Sequence, residues 1–300
     1  MNKALVLFTA ALFVLAGCGS PKKNGKPVVF VSILPQKYFV ERIAGDKFEV
    51  VPMTGAGQDP HTFEPTPGQM MKLSDAELYF TIGITFEEVW MDKIEEANPK
   101  MKIIDSAKGI ELIKMPVMEE VFGHTDGEEH DHEHGLYDPH IWLSPALVKT
   151  QASNICAALC DFDPAGTALY SANLAAFVSD LNKLSLELRT RIAESGVTRL
   201  LVFHPAWGYF ADEFGLTQIP VEFEGKEPSL NQLRIIIDFA KKEKIGALFV
   251  QPQFSEISAK TISEETGCRI VVIDPLAENY IDNLKSAAAA LTENKGGLLN

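Results

Sequence analysis

From Val28 onward, short apolar runs rich in β-branched and aromatic residues alternate with segments whose apolar positions recur every three or four residues. The first pattern predicts strands and the second amphipathic helices. In the first half, VVFVSIL (28–34), FEVVPM (48–53), LYFTIG (78–83) and MKIIDSA (101–107) read as strands. Helices are expected between them, over 36–43, GQMMKLSDAE (68–77) and EEVWMDKIEEA (87–97). The rhythm breaks over 108–138 and resumes with a helix over 145–159. From 164 to 194 Leu169, Leu174, Phe177, Leu181, Leu184, Leu188 and Ile192 keep a helical period with no breaker, which predicts one long helix. The second half repeats the alternation: RLLVFH, LTQIPVEF, GALFVQP and RIVVIDP are strand-like, and AWGYFADEFG, SLNQLRIIIDFAKKEK, SEISAKTISEETG and a closing stretch over 279–293 are helical.

The expectation is an α/β fold of two β/α lobes, each with a mainly parallel sheet, joined by one long rigid helix. The N-terminal lobe covers 27–163, the linking helix 164–196 and the C-terminal lobe 197–300. A helical link makes a stiffer hinge than strand crossovers do.

The start of the chain, MNKALVLFTAALFVLAGCGS, has a lysine, an apolar run and then small residues, the layout of a secretory signal over 1–17. The run is too short to span a bilayer. Leu15-Ala16-Gly17-Cys18 resembles the lipobox of bacterial lipoproteins, which implies lipid on Cys18 and a tether over 18–26. The protein is then expected outside the cytoplasm, anchored to a bacterial membrane. Of the remaining cysteines, Cys156 and Cys160 lie one helical turn apart and Cys268 follows a glycine. Buried free thiols are the plainer reading, and a bridge to Cys268 stays open. A net charge of −14 argues against a nucleic-acid partner.

Five of the seven histidines fall within HTDGEEHDHEHGLYDPHIW, residues 124–142. His124, His130, His132 and His134, in a loop over 118–137, are interleaved with acidic residues in a run that lacks apolar residues to fold it. Such a run attracts divalent cations weakly and in variable geometry. His140 instead sits in Asp138-Pro139-His140, which repeats Asp59-Pro60-His61. Each preceding proline restricts the backbone at its histidine. His204 ends the strand RLLVF and Asp274 ends RIVVI; ligands bind outside the carboxyl ends of strands in open α/β sheets. Taken singly, an Asp-Pro-His is more often a turn, His204 a hydrogen-bonded strand-end histidine and Asp274 a helix-entry carboxylate. Their combination at loops of one binding edge points to a divalent transition metal.

With these residues in place, the chain resembles the metal-binding solute receptors of bacterial ABC importers, the group that captures zinc or manganese. The matching segments are Asp59-Pro60-His61 with Glu64-Pro65-Thr66-Pro67, Asp138-Pro139-His140-Ile141-Trp142-Leu143-Ser144-Pro145, His204-Pro205-Ala206-Trp207, Glu224-Gly225-Lys226-Glu227-Pro228-Ser229 and Asp274-Pro275-Leu276. The resemblance implies a C-clamp with metal between the lobes, held by His61, His140, His204 and Asp274, two ligands from each lobe. It also implies a permease with its ATPase as partner, a monomeric receptor, and an auxiliary zinc-gathering role for the histidine-rich loop.

Three imidazoles and a carboxylate suit tetrahedral zinc at about 2.0–2.2 Å per bond, and manganese, which favours oxygen, is the second choice. A zinc hydrolase would need an open coordination position and a base, for which Glu222 or Glu224 would have to serve. No HExxH run is present, and Asp274 as a fourth ligand would close the shell. A metal-sequestering adhesin working without a permease is the remaining class.

Overall fold

The computed structural model describes residues 25–116, 137–223, 225–252 and 256–293. The signal segment, Cys18, the loop histidines His124, His130, His132 and His134, and Glu224 lie outside the described residues.

The N-terminal lobe runs β1 (Val28–Val31), α1 (Leu34–Ala44), β2 (Glu49–Pro52), α2 (Pro67–Leu73), β3 (Leu78–Thr81), α3 (Thr85–Ala97) and β4 (Lys102–Asp105), followed by α4 (Pro145–Phe162). Its four strands are parallel in the order β2-β1-β3-β4. The C-terminal lobe runs β5 (Arg199–Val202), α6 (Gly208–Phe214), β6 (Thr217–Pro220), α7 (Leu230–Lys242), β7 (Ala247–Val250), α8 (Glu256–Thr266), β8 (Arg269–Val272) and α9 (Tyr280–Thr292). Its sheet has the matching order β6-β5-β7-β8. Strand period two explains how it is covered on both faces: Leu200 and Val202 join the large core shared with the N-terminal lobe, while Leu201 and Phe203 pack in a second core with Ile236, Ile237, Ala259 and Ile262.

The linking helix, α5 (Thr167–Ser195), has 29 residues, about 44 Å at 1.5 Å per residue. A short 3-10 turn over Pro164–Gly166 precedes it, so the regular helix begins three residues later than the apolar period suggests. Tyr170, Phe177, Leu181, Leu184, Leu188 and Ile192 form its buried stripe. That stripe packs on α1 and α4 of one lobe and α9 of the other. Gly196 ends the helix at φ 71°, a left-handed conformation that glycine takes without strain.

The lobes also touch directly. Phe39 and Tyr280 meet edge to face at 5.0 Å between ring centres. Glu213 of α6 accepts from Ala146 N–H at the start of α4 (3.0 Å) and from Ser185 Oγ of α5 (2.8 Å). Ser144, which caps α4, also donates to Glu213. One carboxylate thus ties a helix from each lobe to the link. Cys156, Cys160 and Cys268 are free thiols, with the first two sulfurs 4.0 Å apart. Lys114 and Tyr137 form an isolated antiparallel bridge.

Candidate metal centre

Three Asp-Pro dipeptides make the same turn. Asp59 Oδ1 accepts from the His61 N–H at 2.9 Å, Asp138 Oδ1 from the His140 N–H at 2.8 Å, and Asp274 Oδ1 from the Leu276 N–H at 2.9 Å. This aspartate-to-backbone turn, stiffened by the intervening proline, fixes the direction of the third residue. In each case that third residue, His61, His140 or Leu276, lines the cleft between the lobes. His204 joins them from the carboxyl end of β5.

The three imidazoles form a nearly equilateral triangle, with ring centres 5.5 Å (His61–His140), 5.3 Å (His61–His204) and 5.3 Å (His140–His204) apart. Their ligand nitrogens all lie within 4.8 Å of one another. Zinc bonds of about 2.0–2.1 Å in a tetrahedron need nitrogens roughly 3.3 Å apart, so a small contraction brings them onto one ion. Each ring is held from behind through Nδ1: His61 by Thr85 Oγ1 (3.1 Å), His140 by Asp138 Oδ1 (2.7 Å) and His204 by Glu222 Oε1 (3.2 Å). That leaves Nε2 of each for the cleft, and Nε2 of His61 is buried with no hydrogen-bond partner among the described residues. Bracing of Nδ1 by an oxygen is how metal-bound histidines are ordinarily oriented and made better donors.

Burial, helped by repulsion from His140 and His204, pushes His61 down to about 3. Burial also lowers His140, against the opposing pull of Asp138. These two rings are therefore neutral at ordinary pH, with lone pairs available to a cation. The cleft is small, about 10 Å³, and is lined by Asp59, Pro60, Trp142, Gln251, Pro275 and Leu276 besides the histidines.

Residues 29–294 match the ZnuA family, described as the periplasmic component A of a zinc-uptake complex. The chain belongs to this family. Among its relatives, the high-affinity zinc uptake system protein ZnuA of Bacillus subtilis is 28% identical over 97% of this chain and 96% of that protein. The zinc-binding lipoprotein AdcA of Streptococcus pneumoniae is 27% identical over 98% of this chain, which spans 61% of AdcA's length. A crystal structure of ZnuA is 41% identical, superposes with a TM-score of 0.81 and covers 90% of this chain and 99% of its own. A ZnuA deletion mutant with zinc bound superposes at 0.80 with the same identity, over 89% and 97% of the two chains.

Within this ZnuA-family fold, three of the four residues expected to hold the metal are brought together. The group of three imidazoles within 4.8 Å does not include Asp274, one of whose carboxylate oxygens shapes its own turn. The N-terminal lobe contributes two rings and the C-terminal lobe one. Glu222 is buried at 3% exposure behind His204, the position of a support. Thr85, Asp138 as an orienting group, and Gln251 were not singled out by their sequence contexts. Asp-Pro occurs four times, and Asp59, Asp138 and Asp274 start these turns while Asp163 precedes the 3-10 turn before the linking helix; nothing local marks Thr85 or Gln251.

Proposed function

We propose that this protein captures zinc outside the cytoplasm through His61, His140 and His204 and hands it to the permease of an ABC importer driven by its ATPase. The observation that carries this is the convergence of three buried or half-buried imidazoles with Nδ1 braced and Nε2 turned to one small cleft. An all-nitrogen donor set favours zinc over manganese, which prefers oxygen. The name and family description of the relatives, zinc uptake and zinc-binding lipoprotein, support the same cargo. The lipoprotein nature of AdcA supports lipid on Cys18 and a tether leading to the lobes. No helix among the described residues is long and apolar enough to cross a membrane. The receptor works as a monomer, with the histidine-rich run at His124, His130, His132 and His134 as a weak auxiliary collector.

Three histidine ligands with a remaining position also occur in zinc enzymes. The cavity of about 10 Å³ has room for about one water, not for an organic substrate beside the metal, which favours capture over catalysis.

Metal analysis of protein purified without added metal, with zinc and manganese then titrated in competition, tests the reading. One tightly held zinc per chain is expected. Substitution His140→Ala should lower zinc affinity more than about a hundredfold, beyond the 10–100-fold typical of losing a supporting residue. Unchanged stoichiometric zinc in both His140→Ala and His204→Ala would sink the assignment.

A further inference from the structure

Gln251 follows β7 at the carboxyl edge of the C-terminal sheet, and β7 lies beside β5, whose end carries His204. The strand order turns back between these two, where ligands of open α/β sheets bind. Gln251 lines the histidine cleft and is only 8% exposed. Its Nε2 is buried and has no hydrogen-bond partner among the described residues. Buried amide donors are rarely left in this condition, so one facing a polar cleft calls for an acceptor inside it.

The other polar groups of the cleft wall do not supply that acceptor. Asp59 already accepts from His61 N–H and Thr62 Oγ1, and Trp142 Nε1 donates to Pro275 O at 2.9 Å. Asp274 is outside the histidine group, with one oxygen engaged in its turn. Three nitrogens leave a tetrahedral ion one position short. The cleft offers space of about 10 Å³ for an oxygen to take it.

We infer that Gln251 is a positioning residue whose amide N–H donates to an exchangeable water or hydroxide completing the coordination of the bound zinc. This rests on the three-histidine reading of the site. An exchangeable fourth ligand gives an incoming donor a place to bind before any histidine lets go.

The test uses the full chain loaded with cobalt(II), whose visible bands report coordination, and two small anions, azide and the single-atom probe bromide. In the unaltered protein the bands should shift saturably as the anion replaces the solvent ligand. In Gln251→Leu the half-saturating azide concentration should rise about tenfold, because an N–H donor favours a bound anion over a neutral water. Gln251→Ala should show the same direction if leucine disturbs the packing, and cobalt content should stay at one per chain in both. Bands indifferent to both anions in the unaltered protein would show a protein donor in the fourth position and overturn the inference. So would equal azide response in the unaltered protein and both variants. Failure of cobalt to bind with histidine coordination would instead remove the three-histidine reading beneath it.

Discussion

The two lobes share a sheet order and an Asp-Pro turn at the cleft, yet they contribute differently to it. In the N-terminal lobe both turns end in a histidine, His61 and His140. In the C-terminal lobe the turn formed by Asp274 ends in Leu276, and the single imidazole comes from the end of β5. The bracing differs too. His140 is held by the aspartate of its own turn and His61 by a hydroxyl on α3, whereas His204 leans on Glu222 from the following strand end. The lesson is that the aspartate of an Asp-Pro turn aims the residue two places on. Whether the turn supplies a ligand or a wall is decided by that residue.

Short of removing a histidine, breaking the bracing on the N-terminal side should have the largest effect. Asp138 is fully buried and sits against Gly208 of the opposite lobe, where an added Cβ would come within 2.3 Å of Asp138 Oδ2. Asp138 cannot yield without moving His140, because one oxygen holds both the backbone N–H and Nδ1 of that residue. Gly208→Ala should therefore weaken zinc binding by about 10–100-fold, the usual cost of disturbing an orienting partner. It should also lower the melting temperature, since overpacking costs about 1–3 kcal/mol. A chelator competition showing wild-type affinity would mean that Asp138 does not orient His140.

The converse experiment makes the third turn resemble the other two. Leu276 lines the cleft at 6% exposure on the same Asp-Pro geometry. Leu276→His should place a fourth imidazole near the ion, tighten zinc about tenfold and abolish the azide response of the cobalt form. No change in either measurement would show that the Asp274 turn is not aimed as those of Asp59 and Asp138 are.

This contrast also explains what was legible in the sequence. Strand runs such as VVFV and RLLV, and the stripe from Phe177 to Ile192, announce their elements because burial enforces period two or period 3.6. His61, His140 and His204 could be read from their rigid or strand-end settings. Asp274 was read as a ligand from its strand-end setting, and in Asp-Pro-Leu its Oδ1 also shapes a turn, as those of Asp59 and Asp138 do. Thr85, and the bracing role of Glu222, were hidden for another reason: these two reach their rings across 24 and 18 residues, through a proximity that only sheet assembly creates.

The smallest effect concerns how the N-terminal lobe supports Thr85. Glu87, two residues into the same helix, is buried and accepts from the Ile82 N–H (3.0 Å) and Gly83 N–H (2.7 Å), fixing the turn from which α3 starts. Ser32 Oγ donates to it as well and is itself 2.8 Å from the Tyr79 hydroxyl. Burial, only partly offset by these donors, raises the Glu87 carboxyl from 4.5 to about 7. Below pH 4.5 Glu87 is protonated folded or unfolded, and its contribution is fully present. Between there and pH 7 the unfolded chain ionises while the folded one keeps its proton, so stability falls as pH rises, by on the order of 3 kcal/mol in all. His61 and His140 act oppositely: their lowered values cost stability as pH falls below about 6.5. Comparison with Glu87→Gln cancels that background and keeps an acceptor for the turn. The two proteins should melt together near pH 4, and the variant should melt a few degrees higher at pH 8, with zinc affinity changed less than about threefold. A melting difference independent of pH would mean that Glu87 is ionised throughout. The N-terminal brace would then be a charged carboxylate, and its contrast with a Thr85 support held through a neutral one would disappear.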